Sequence, residues 1–172
     1  GAARHLVPEF DIFRQQHSHW LEDFALFMAL KDEYGGAPWT QWEPSLVSRQ
    51  PGALAAAHLR LEAAIEDHSF RQFLFFRQWG SLHRLAREHG LMLIGDIPIF
   101  VAHDSADVWS HPGLFYLDDS GHPTVVAGVP PDYFSPTGQL WGNPLYRWDR
   151  LAEGGYGWWV DRLKMVLLTA DL

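Results

Sequence analysis

The sequence contains no cysteine. That excludes a disulfide framework and a thiolate zinc site, and it fits a reducing, cytoplasmic setting. Basic residues are scarce: 13 Lys and Arg stand against 21 Asp and Glu, a formal net charge of −8. A nucleic-acid backbone or an anionic membrane surface calls for a basic face, so neither is expected as a partner. No apolar run reaches membrane-spanning length, and the opening GAARHLVPEF has no apolar signal core and no initiator Met. No internal repeat, low-complexity tract or linker divides the 172 residues, a length sufficient for one domain with a real core.

Aromatic residues, by contrast, are plentiful. Nine Trp, eleven Phe and five Tyr make up 15% of the chain. Such side chains bury well, and they also stack on flat or ring-shaped ligands.

Helical spacing dominates the first half. In HSHWLEDFALFMALKDEYGG (17–36), Trp20, Phe24, Phe27 and Leu30 recur at roughly helical intervals, and Gly35-Gly36 predicts the stop. Residues 52–90 are helix-forming, with a break expected near His68-Ser69 and a cap at Gly90. LMLIGDIPIF (91–100) then reads as a fully buried strand ending in a turn, the αβ half of an α/β unit. DSADVW (104–109) reads as a helix start with Asp104 as cap, and LFYLDDSGHPTVVAG (114–128) as two short strands around a turn. GYGWWVDRLKMVLLTADL (155–172) reads as a last amphipathic helix.

Asp96 follows the expected strand directly. In parallel α/β folds, ligands bind beyond the C-terminal strand ends, so this carboxylate reads either as a hydrogen-bond acceptor for substrate or as a turn cap. Asp104 and Asp107 have the chemistry of an acid/base or hard-metal pair, yet D-x-x-D at a helix start is sufficiently explained by capping. His17/His19 and His103/His111 show no ligand spacing, so no metal site is expected. No Gly-rich phosphate loop is present.

The stretch AGVPPDYFSPTGQLWGNPLYRW (127–148) is unusual. It holds four prolines and five aromatics, and only Asp132 and Arg147 are charged. It reads as a long irregular loop, and such loops in compact domains are often functional. Tyr133, Phe134 and Trp141 could stack on a sugar's apolar face, with Asp132 and Asn143 binding hydroxyls at its edge. The alternative is a loop that tucks its rings into its own domain.

IGDIPIFVAHDSADVW, PTVVAGVPPDYFSPTGQLWGNPLY and WLEDFALFMALKDEYGGAPWTQW closely resemble the 4-α-glucanotransferases, the amylomaltases or disproportionating enzymes of the α-amylase clan. The resemblance runs from about Phe10 through nearly the whole chain. It implies a partial (β/α)₈ barrel with an inserted helical subdomain: a helical part at about 8–90, a barrel strand and active-site loops at about 91–148, and a barrel helix at about 155–168. It implies transfer of α-1,4-glucan segments by a retaining mechanism, with maltooligosaccharides as partners and no metal or organic cofactor. Carried over onto this chain, it assigns Asp96, Asp132, Tyr133, Phe134, Trp141 and Asn143 to substrate binding, the last five on a flexible loop arching over the site. The family's nucleophile lies in an Arg-x-Asp-His motif, which these 172 residues do not contain. Asp171 lacks the Arg and His neighbours, so the resemblance predicts an internal fragment without its own catalytic set. Pro136 stands where many relatives have Glu, which removes an acidic contact and stiffens the loop. A stand-alone glucan-binding module using the same aromatics is the alternative reading.

Overall fold

The computed structural model describes residues 4–171, and they are mostly helical. Helices α1 (Val7–Gln16) and α2 (Ser18–Glu33) are followed by the short α3 (Pro44–Val47), α4 (Pro51–Arg60) and the long α5 (Glu62–Glu88). After a stretch without helix or strand come α6 (Ala106–Ser110), strands β1 (Val126–Val129) and β2 (Gln139–Pro144), α7 (Trp148–Glu153) and α8 (Gly157–Thr169).

The two expected glycine stops hold. Gly36 N–H donates to Lys31 O at 2.7 Å, and Leu91 N–H, just past Gly90, donates to Ala86 O at 2.9 Å. Gly35 and Gly90 take φ of +60° and +69°, a region that costs a side-chain-bearing residue strain. The break expected at His68-Ser69 is absent. The helix is interrupted at Leu61 instead, and α5 runs unbroken through His68 and Ser69, both buried. His68 Nε2 lies 2.8 Å from Asp32 Oδ2 on α2, so its polar ring is satisfied without leaving the helix.

α2 packs on α5 and α6 and presents Leu26, Phe27 and Leu30 to the main core. There Phe27, Trp42 and Trp109 form a ring cluster with centroids 5.4–5.9 Å apart. Arg49 covers it, its guanidinium 4.3 Å from the Trp109 ring. A smaller cluster joins Phe10 and Phe13 of α1 to Leu21 and Phe73.

Two expectations fail after α5. Residues 91–98 form neither helix nor strand and pair with no strand among the described residues, and Ile94 is 82% exposed. An apolar run becomes a buried strand only when neighbours cover it and pair its backbone. Here the backbone of Leu93 is tied to Asp171 on both sides: its N–H donates to Asp171 Oδ2 at 3.0 Å, and its carbonyl accepts from Asp171 N–H at 2.8 Å. The cap of α6 is Ser105, whose hydroxyl accepts from Val108 N–H, and not Asp104. Asp104 is drawn off to Lys31 Nζ at 2.7 Å and Trp39 N–H at 3.2 Å. The turn at 118–121 forms as expected, Asp118 Oδ1 accepting from Ser120 and His122 N–H, but the two strands expected around it reduce to a single bridge, Leu117 with Pro123.

Candidate functional site

The stretch 127–148 is a β-hairpin rather than an irregular loop. β1 and β2 pair antiparallel, Gly128 opposite Leu140 and Val129 opposite Gln139. Two glycines make this possible. A Cβ at Gly128 would sit 2.5 Å from Gln139 O, and one at Gly138 2.6 Å from Val129 O. The prolines that argued against a strand fall outside it or at its end.

Asp132 builds the tip. Its Oδ1 accepts from Phe134 N–H at 2.9 Å and Ser135 N–H at 2.8 Å, an Asx-type turn. Tyr133 and Phe134 are thereby held outward, 95% and 88% exposed, edge to face with each other. Nothing among the described residues buries them, so the tucked-in alternative fails for these two rings.

Trp141, on β2, is about half exposed, its indole N–H donating to Gln139 Oε1 at 3.0 Å. Its ring lies 6.2 Å from Phe100. Asn143 faces inward, where its Nδ2 donates to Val101 O at 2.8 Å. The root of the hairpin is braced further by the Phe115–Tyr146 bridge and by Arg147 N–H to Leu114 O at 2.8 Å.

The structure thus stitches the hairpin to residues 100–101, a few residues after Asp96. Asp96 itself is exposed and has no hydrogen-bond partner among the described residues, so the turn-cap reading finds no support. Trp141 and Asn143 meet this segment directly, while Tyr133 and Phe134 stand at the far end of the hairpin. Sequence reasoning missed Phe100, Tyr146 and Arg162, which join the two parts: Phe100 stacks on Tyr146 at 6.2 Å and 15°. The Arg that follows the Trp-Trp pair of 155–162 was the available signal.

A separate cavity of about 580 Å³ lies between α2, α6 and α8, lined by Trp20, Phe24, Asp107, His111, Trp158 and Arg162 among others. None of the six substrate-contact candidates lines it. Burial in the cavity wall pushes the Asp107 carboxyl above its ordinary range, an effect partly offset by Arg162 and His111. Among the described residues, no group of three His, Asp or Glu side chains is placed to hold a metal ion. No described helix is long and apolar enough to cross a membrane.

Asp171 is tethered. Besides Leu93 N–H, its carboxylate has His83 Nε2 at 3.0 Å and Arg87 Nε at 3.5 Å. The Leu93 amide first, then His83, holds this carboxyl below the usual 3.8. The charged form is the bonded one, so the tether persists down through pH 3.8 and opens only as pH falls through the lowered pKa. In an NMR titration, the Leu93 amide shift is expected to move with a midpoint below 3.8. A midpoint at or above that value would mean the carboxylate is not bonded there.

The family model for glycoside hydrolase family 77, described as 4-alpha-glucanotransferase, matches residues 2–172. The chain belongs to the 4-α-glucanotransferase family. It is 56% identical over 158 residues to the 4-alpha-glucanotransferase of Thermus thermophilus, covering 92% of this chain and 32% of that protein. The Synechocystis enzyme of the same name is 48% identical over 168 residues, 97% of this chain and 33% of that protein. Among solved structures, the amylomaltase from Streptococcus agalactiae in complex with acarbose superposes with a TM-score of 0.92 at 38% identity, covering 98% of this chain and 34% of that one. The chain therefore spans about a third of the length of the 4-α-glucanotransferases it matches.

Proposed function

We propose that this chain is the substrate-contacting third of a 4-α-glucanotransferase that moves α-1,4-glucan segments to a glucan or glucose acceptor. In this reading residues 91–98 take their place as a barrel strand once the rest of the polypeptide flanks them, which accounts for their lack of a strand partner here. The reaction is retaining: a carboxylate attacks the anomeric carbon, an acid protonates the leaving oxygen, and the acceptor hydroxyl later displaces the enzyme. Both catalytic carboxyls are assigned outside this chain. Asp171 does not substitute for them: its carboxylate accepts from Leu93 N–H and is ion-paired with His83 and Arg87.

The observation that carries the reading is the outward display of Tyr133 and Phe134 by the Asp132 turn. Exposing two large rings at a hairpin tip forgoes burial worth about 1.5–3 kcal/mol each, and a ligand that covers them recovers it. Trp141 and Asp96 supply a further stacking face and a carboxylate for sugar hydroxyls. A hairpin lying over a bound glucan also keeps water from the glycosyl-enzyme, which favours transfer over hydrolysis. Asp132 and Asn143 act chiefly by holding the hairpin in shape.

Incubation with maltotriose, followed by chromatography, tests this. The complete polypeptide carrying this sequence is expected to yield glucose and longer oligosaccharides, and the isolated 172 residues neither. Loss of the covalent nucleophile removes the two-step route, a deficit of many orders of magnitude. Disproportionation by the isolated chain would overturn the assignment of the catalytic carboxyls. Tight maltooligosaccharide binding by the isolated chain, with an inactive complete polypeptide, would favour a stand-alone binding module.

A further inference from the structure

Arg162 sits in α8, outside the six predicted contacts. Its Nη2 donates to Pro98 O at 2.7 Å, and its Nη1 to the Tyr146 hydroxyl at 3.2 Å. The first bond reaches Pro98, two residues after Asp96, and the second reaches the residue at the foot of the hairpin. Its guanidinium carbon lies 5.3 Å from the Trp158 ring centroid and 5.2 Å from that of Trp159. Those two rings stand perpendicular, 5.4 Å apart. The planar fork is therefore fixed in orientation before it makes either hydrogen bond.

We infer that Arg162 is a positioning residue that locks the Asp96 segment and the 126–144 hairpin into one frame, so that both meet the same glucan. The inference rests on the glucanotransferase reading. Proline has no N–H, so the Pro98 carbonyl is the only backbone hydrogen-bonding group through which that residue can be held. The two bonded groups belong to different segments, 98 and 146, and neither belongs to a neighbouring helix. Losing the fork removes the tie between Pro98 and Tyr146 and leaves the Asp96 segment held to the hairpin only through residues 100–101, while the Phe27–Trp42–Trp109 cluster stays packed. Lys carries the charge and spans a similar length, but it lacks the planar fork and stacks less well on indole, so it restores the link only in part.

The test uses the complete polypeptide with Arg162→Met and Arg162→Lys, read by kcat and KM on maltotriose alongside Tm. A misplacement of the order of 1 Å can cost about a hundredfold in rate. Arg162→Met is expected to lower kcat about 10- to 100-fold per folded molecule, with KM changed by less than about threefold. Arg162→Lys is expected to recover to within about 3- to 10-fold of the parent, at an unchanged Tm. A merely structural arginine would instead lower Tm and the folded fraction and leave kcat per folded molecule intact, and that result overturns the inference. Should the Met variant not fold, a Lys variant with the parent's kcat also overturns it. A complete parent polypeptide inactive on maltotriose refutes the glucanotransferase reading, and this inference with it.

Discussion

Asp96→Asn in the complete polypeptide is expected to cut turnover on maltotriose about a hundredfold or more, while Tm moves by less than about 2 °C. The two halves of that expectation have separate causes. Stability is spared because the Asp96 carboxylate is exposed and bonds to nothing among the described residues. An isosteric amide therefore leaves no orphaned donor in the fold. Turnover is lost because a charged acceptor strengthens its hydrogen bonds to hydroxyls of the sugar as positive charge develops on the ring in the oxocarbenium-like transition state. A neutral amide keeps the shape and loses that differential. Retained turnover with a collapsed Tm would make Asp96 a fold residue and remove it from the site.

Trp39→Ala is expected to destabilise the chain by about 3–5 kcal/mol, a large part of the 5–15 kcal/mol typical of a domain. Trp39 is 1% exposed and joins segments far apart in sequence. Its indole N–H donates to His103 O at 2.8 Å, and its backbone N–H donates to Asp104 Oδ1 at 3.2 Å. Its six-membered ring fills the space above Gly121, where a Cβ would lie 2.3 Å from the ring. Truncation leaves a cavity under the 118–121 turn and strips the His103 carbonyl of its donor. Urea unfolding of the 172-residue chain measures the effect, and a loss below about 1 kcal/mol would show that the ring is not a packing centre.

The parts of this fold that were legible in the sequence are those with a local cause. Gly35 and Gly90 end helices because the chain needs positive φ there, and one residue type signals that need. The Asp118 turn likewise depends on residues within four positions. The misreadings share a different origin. Asp104 has the pattern of a cap, but Lys31, 73 residues away, claims its carboxylate and leaves the capping to Ser105. His68 stays helical because Asp32 waits on another helix. LMLI has the composition of a buried strand, but composition does not supply the flanking backbone that would pair it. At the candidate site, the exposed rings were visible as an excess of aromatics among prolines. The hairpin was hidden because Gly128 and Gly138, read as loop residues, permit close backbone pairing. The Arg162 bridge was hidden because its partner Pro98 is 64 residues distant. Local pattern alone does not distinguish an apolar segment that the chain covers from one that it leaves exposed, as at Ile94.

The central claim is that the Asp96 segment and the 126–144 hairpin of this chain together grip an α-glucan. A crystal structure of the complete polypeptide with acarbose tests it most directly. Asp96 is then expected within about 3 Å of an inhibitor hydroxyl, with a sugar ring packed against Trp141, Tyr133 or Phe134. Acarbose ordered in the active site, with Asp96 and all three rings out of contact, would contradict it.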